Sequence, residues 1–466
     1  MGNLRRIDQA LSVRGGRLYI EDVDTVVLAR TFGTPLYVVS EDQLRRNARA
    51  FNQAFSERWH EGPVRILPSL KANFCLALRH VLSEEGLGCD TFGMAELEAA
   101  LRAGVPSELI SVNGTAKSAS LIEDAVRAGT RITIDAAREL PLVEDAARKL
   151  GVRARIRMRI RPDLSGLPEP TDLAGEEISV SEAVRAYKAG VPTEDVIPLG
   201  RKAIASEHIA LTGVHVHLPR HRAETDTYRH MTRAVVQLLA ELIREWRGWL
   251  PEEIDLGGGF AVPRDPTGRL LTRLADHPRS PAPTIDEYAE AITTTLRSEL
   301  QRHDIPSEGL ALELEPGRRL YADAGIHLAT VINTKRESSP VPWRWIETDT
   351  TEMFLPDSLI EHNRWHVLVA SRVDAEPIGP ADVVGLSCGF DLMVPSEPLP
   401  DLDDGDVLAF LDTGAYQDAS AANFNALPRP ATVLVHGSEA ETIKRAETVE
   451  DVFSRDVVPG RLRGDG

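Results

Sequence analysis

The sequence predicts an α/β protein, a parallel (β/α)8 TIM-type barrel followed by a C-terminal β-rich domain of barrel or sandwich type. Three observations predict it. From Leu36 to Ala322, short β-rich runs alternate with helical patterns in about eight steps, a rhythm that favours a closed parallel barrel over an open sheet. After Ala322 the rhythm gives way to β-rich segments rich in turn residues, and an early segment, Arg14–Ile20, reads the same way. Lys71, His217, Gly257–Gly259 and Glu315 all fall at or just after the ends of expected strands, where such barrels carry their chemistry.

The elements follow in order. Leu36–Ser40 reads as the first barrel strand and Glu41–Trp59 as its helix. Strand Val64–Leu70 and helix Leu76–Glu85 come next, then helix Glu96–Ala103, strand Ile110–Val112 and helix Ser118–Ala128. Strand Arg131–Ile134, helix Ala137–Leu150 and strand Arg155–Ile160 continue the series. Strand Leu211–His217, helix Thr227–Trp249, strand Glu253–Leu256, helix Thr284–Arg302 and strand Ala311–Glu315 complete it. Arg161–Leu199 and Arg264–Pro283, long and rich in Pro, Gly and charge, read as insertions near the barrel mouth. The resulting division is 1–35 joining the β-domain, 36–322 the barrel, 323–457 the β-domain and 458–466 a tail without order.

Composition narrows the function. Fifty-three Lys and Arg against 71 Asp and Glu leave a formal charge of −18, which argues against nucleic acid or an acidic membrane surface as partner. Cys75, Cys89 and Cys388 are too few and too scattered for a disulfide framework or a zinc site, so no metal is expected and a reducing cytoplasm fits best. No signal peptide is visible after Met1, and the longest apolar-rich stretch, Ala234–Ile243, is too short to span a bilayer.

Two motifs carry the chemistry. Asp255-Leu-Gly257-Gly258-Gly259 closes an apolar run with three residues whose N–H groups no side chain covers, so a phosphate oxygen can approach closely. Glu315-Pro-Gly317-Arg318 supplies a guanidinium suited to a phosphate and a carboxylate suited to a protonated ring nitrogen. Either motif alone is more often a plain turn. Their order in one chain, with Lys71 upstream, describes pyridoxal 5′-phosphate.

Further motifs stand in the same order as in fold-type III pyridoxal-phosphate enzymes. They are Pro68-Ser-Leu-Lys71-Ala-Asn73, Gly88-Cys-Asp90-Thr-Phe-Gly-Met-Ala-Glu96-Leu, Gly213-Val-His-Val-His217, Cys388-Gly-Phe-Asp391 and Gly414-Ala-Tyr416. With the two glycine motifs, nearly the whole chain resembles the diaminopimelate/ornithine decarboxylase family. The resemblance implies a homodimer with composite sites, the cysteine segment coming from the second subunit. It implies that Lys71 carries the cofactor, a lysine whose burial makes its amine nucleophilic. His217 stacks on the ring, while His215 is left as a core histidine. Glu315 keeps the ring nitrogen protonated, which favours decarboxylation over the racemisation of relatives with arginine there. Gly257, Gly258, Gly259 and Gly317 belong to the phosphate side, with Arg318 and Tyr416 on phosphate or substrate. Arg159 matches a barrel arginine of the family, and Cys388 reprotonates Cα.

The departures lie mainly on the substrate side. The family's acidic residue after the cysteine, which reads a distal ammonium, is Gly389 here, with Phe390 next. The arginine and tyrosine that hold the distal carboxylate of diaminopimelate fall on Leu355 and Leu359. An uncompensated carboxylate would be costly there. After His217 the chain runs Leu218-Pro219-Arg220-His221-Arg222, so Arg220 either replaces a phosphate contact, binds an anionic substrate group or is a solvated loop arginine. The expectation is a decarboxylase whose substrate is neither diaminopimelate nor a simple basic amino acid. A racemase and a non-catalytic relative are the alternatives.

Overall fold

The computed structural model describes residues 5–167, 171–173, 176–179, 182, 185–186, 188–217, 223–264, 282–360 and 365–463. It divides into two compact units, Leu44–Ala322 and Met1–Gln43 together with Asp323–Gly466.

The first unit is a (β/α)8 barrel. Its strands are β1 (Val64–Ile66), β2 (Cys89–Thr91), β3 (Ile110–Val112), β4 (Arg131–Ile134), β5 (Ala154–Arg159), β6 (Ile209–His215), β7 (Glu253–Asp255) and β8 (Ala311–Leu314). Each is parallel to its neighbour from β2 through β8, and β8 returns to β1. The ring closes where the Gly88 N–H donates to Ile66 O at 2.9 Å and the Asp90 N–H to Pro68 O at 3.1 Å. The expected count of eight is met, with one different member. Leu36–Ser40 is not a barrel strand. It pairs with Gly325–Glu337 and Ala431–His436 in the other unit. Cys89–Thr91 takes its place, a three-residue strand with Asp at its centre that β-propensity passes over.

Helix ends follow local chemistry. Ser118 caps Ala119–Ala128 by accepting the Leu121 N–H, and Gly129 ends that helix in a left-handed conformation. Thr284 and Glu287 form a capping box at the start of Ile285–Arg302. The stretch read as one long insertion holds a hairpin, Thr171–Leu173 with Glu176–Ile178, and helix Thr193–Ala205, whose Pro198 masks it in sequence.

The second unit contains a four-stranded antiparallel sheet from the N-terminal segment and a nine-stranded sheet running from Leu392–Leu399 through Gly325–Glu337 and Leu36–Ser40 to Glu439–Lys444. Two apolar clusters fill it, one around Leu18, Val38 and Val433, the other around Ile346, Leu355 and Phe410. In the tail expected to lack order, Gly460–Leu462 forms a 3-10 turn.

Candidate active site

The C-terminal ends of the barrel strands gather most of the expected residues. Lys71 lies in the 3-10 turn Leu70–Ala72 that follows β1. Its side chain is 45% exposed, with Nζ 3.8 Å from Asp90 Oδ2, so the expectation of a buried lysine is corrected. Its turn follows Pro68 and Ser69 directly and stays at the barrel mouth. Asp90, buried on β2, accepts from Ser69 Oγ at 2.6 Å and from Asn113 Nδ2 at 2.7 Å.

Glu315 is buried one residue beyond β8. Its Oε1 accepts from Asn113 Nδ2 at 2.5 Å and from Arg157 Nη2 at 3.1 Å. Its Oε2 lies 3.2 Å from His215 Nε2 and 3.7 Å from His217 Nδ1. Burial holds His215 well below the usual imidazole range. Burial, then the Lys71 and Arg159 cations, pushes His217 down to about 3, so both rings are neutral at ordinary pH. His215 therefore touches Glu315 and is more than a core histidine. These two rings and Glu315 bring three ligand atoms within 4.8 Å, a set that could also hold a cation.

The glycine run does a different job from the one its sequence suggests. The Gly257 N–H donates to Asp255 Oδ1 at 2.8 Å and the Gly258 N–H to His217 Nδ1 at 3.3 Å, so two of the three N–H groups are committed inside the protein. What glycine provides is room. A Cβ on Gly258 would come within 2.3 Å of Glu315 O, and one on Gly257 within 2.6 Å of Val216 O. Gly257 and Gly259 also have φ of +67° and +91°, which side chains disfavour. Tyr228 OH donates to Gly258 O at 3.1 Å, fixing the turn. Gly317 precedes the short helix Arg318–Tyr321, and Arg318 and Arg159 are both buried. Neutral imidazole beside a buried carboxylate, buried guanidinium groups and a turn without side chains fit a phosphorylated pyridine. Arg220 lies outside the described residues.

Cys388 and Tyr416 belong to the strand-rich unit. The exposed Cys388 donates its N–H to Asn425 Oδ1 at 2.9 Å and receives Asn425 Nδ2 at Sγ, 3.4 Å away. Asp391 ties this loop down, accepting the Ser387 N–H at 2.6 Å, the Glu352 N–H at 2.6 Å and Thr351 Oγ1 at 3.0 Å. Tyr416 has a φ of +67° and opens the helix Gln417–Ser420. Leu355 faces inward. It is fully buried in the cluster with Ile346, Trp365 and Phe410, whereas Leu359 is exposed.

Sequence reasoning missed Asn113, Arg157 and Glu352. Asn113 follows β3 as Glu315 follows β8, and Arg157 stands two residues before Arg159 on one strand face; these were the available signals. Glu352 gave none. Its Oε1 lies 3.5 Å from where a Cβ on Gly389 would be.

The chain is similar to proteins already known. The family described as "Pyridoxal-dependent decarboxylase, pyridoxal binding domain" matches residues 41–322. The diaminopimelate decarboxylase of Methanocaldococcus jannaschii is 30% identical over 461 residues, 98% of each chain. That of Archaeoglobus fulgidus is 28% identical over 96% of this chain and 99% of its own. The crystal structure of the M. jannaschii enzyme in complex with L-lysine superposes with a TM-score of 0.86, at 28% identity, covering 97% of this chain and 99% of that one.

Proposed function

The chain belongs to the pyridoxal-dependent decarboxylase family, and from that premise we propose that its substrate is an amino acid other than diaminopimelate. The enzyme is a carboxy-lyase, and its cofactor is pyridoxal 5′-phosphate. Bound at the barrel mouth, the cofactor supplies an electron sink for the pair left on Cα when the carboxylate departs as CO2. In our reading Lys71 attaches it. Glu315 holds a proton at the ring nitrogen, and Asn113, Arg157 and His215 hold Glu315. Neutral His217 lies against the ring face, and Arg159, Arg318 and the glycine turn take the phosphate side. Arg318, Tyr416 and Arg220 are candidates for the substrate carboxylate. Cys388 returns one proton to Cα, replacing the lost carboxylate. Its segment comes from a second copy of the chain.

Leu355 carries the substrate reading. The position where a distal carboxylate would need a guanidinium is a leucine sealed into the apolar core. A distal carboxylate finds no guanidinium at that position to balance its charge. One observation favours a narrower version. The Glu352 carboxylate beside Gly389 is raised by burial and by Asp391, a setting that a substrate cation would relieve. The distal end of the substrate is then a cation or a neutral group without a carboxylate.

Titrating the holoenzyme with amino acids while following cofactor absorbance tests this. Compounds lacking a distal carboxylate are expected to bind more tightly than meso-diaminopimelate. Tightest binding by meso-diaminopimelate would overturn the proposal.

A further inference from the structure

The barrel interior beneath Glu315 is filled with charge rather than with aliphatic side chains. Arg131 on β4 donates through Nη1 to Glu253 at 2.7 Å and through Nη2 to Glu313 at 2.7 Å. Arg65 on β1 donates to Glu313 Oε1 at 2.8 Å. Thr212 Oγ1 donates to the other oxygen of Glu253 at 2.7 Å. Gly213 makes room for this layer, since a Cβ there would come within 2.6 Å of Glu253 Cγ.

Arg157 on β5 joins this layer to the site above it. The side chain is wholly buried. Its Nε donates to Thr133 Oγ1 at 2.8 Å and its Nη1 to Glu313 Oε2 at 2.6 Å. Its Nη2 meets Ser111 Oγ at 2.7 Å, Asn113 Oδ1 at 3.2 Å and Glu315 Oε1 at 3.1 Å. Asp255 Oδ2 lies 2.5 Å from the same Nη2 without making a hydrogen bond. Two Nη2 hydrogens thus serve several oxygens, and the guanidinium plane is also fixed at Nε and Nη1.

Fixing that plane fixes Glu315. Asn113 donates to the same Oε1, and its own Oδ1 receives Arg157, Ser111 and Thr133. Two donors on Oε1 leave Oε2 as the oxygen turned toward His215 and His217. Buried acids crowd the same region. Burial pushes Asp255 well above the carboxylate range despite Arg157, and Glu315 pushes it further.

We propose that Arg157 is a positioning residue: braced by Glu313 and Thr133, it holds the Glu315 carboxylate oriented for the cofactor ring. The proposal rests on Glu315 being the ring-nitrogen partner. Arg157 touches neither substrate nor cofactor in this account and acts through Glu315 alone.

The test uses holoenzymes of wild type, R157M, R157K, E313Q, E315Q and the double variant R157M/E315Q. Cofactor absorbance is titrated with pH, and kcat and KM are measured separately. E315Q should shift the absorbance titration; an unchanged titration would sink the reading of Glu315 itself. With E315Q shifted, R157M should shift the titration in the same direction and lower kcat by about 10- to 100-fold with KM moved less than about 3-fold. The double variant should match E315Q alone. R157K, which keeps the charge without the fork, should recover part of the shift, and E313Q should lie between wild type and R157M. If R157M fails to fold, R157K and E313Q decide. An R157K or R157M titration identical to wild type, or effects of R157M and E315Q that add in full, would overturn the proposal.

Discussion

The surroundings of Glu315 and the loop at Cys388 are built on opposite plans. Glu315 is buried, and both of its oxygens face side chains that are themselves held by others. Cys388 is exposed, Phe390 beside it is 98% exposed, and the thiol has Asn425 as a neighbour. One arrangement is complete within its own unit. The other is anchored from behind by Asp391 while its chemical face points outward. A rigid network suits a group that must hold charge on a cofactor throughout turnover, whereas an outward thiol suits a group contributed to a site on another copy.

The sharpest break in this comparison is substitution of the cofactor lysine. K71A should lose the bound-cofactor absorbance and lower decarboxylation by on the order of 10³-fold or more. Retained absorbance with normal turnover would remove Lys71 from the mechanism. C388A should lower kcat by on the order of 10²-fold while leaving cofactor absorbance unchanged, because the barrel side does not depend on the thiol. A spectral change in C388A would show the two regions are less separate than described. Mixing K71A with C388A should then restore activity, since one mixed site would pair an intact lysine with an intact cysteine. No recovery, in a mixture shown by mass to have exchanged subunits, would put the thiol and the lysine in one subunit.

Smaller effects probe the packing. G258A should lose about 1–3 kcal/mol of stability, read by chemical denaturation, because its Cβ would meet Glu315 O at 2.3 Å. At the barrel mouth, burial and then Asp90 push the Glu96 carboxyl up from 4.5 to about 7. The folded chain therefore holds that proton more tightly than the unfolded one. The stabilisation is full below 4.5 and is lost as pH rises through about 7. Unfolding measured across that window should show this loss in wild type and a flatter profile in E96Q.

The glycine run, Lys71, His217 and Glu315 sit at strand ends, so local pattern locates them. Leu36–Ser40 misled because an apolar β-branched run carries no mark of which sheet it joins, and Cys89–Thr91 was overlooked because its pairing is long-range. Arg157 and Asn113 were hidden for the same reason: a buried polar residue reveals itself only through partners on other strands. Leu355 was legible as a lost guanidinium, while its place in the core depends on partners such as Phe410, distant in sequence.

If the cofactor side is kept while the substrate side is changed, the distal end of the substrate decides how fast it reacts. Single-turnover CO2 release from the holoenzyme, compared across meso-diaminopimelate and amino acids with cationic or neutral distal ends, tests it most directly. Release from a member of the second group is expected to be faster than from meso-diaminopimelate. Fastest release from meso-diaminopimelate would contradict it.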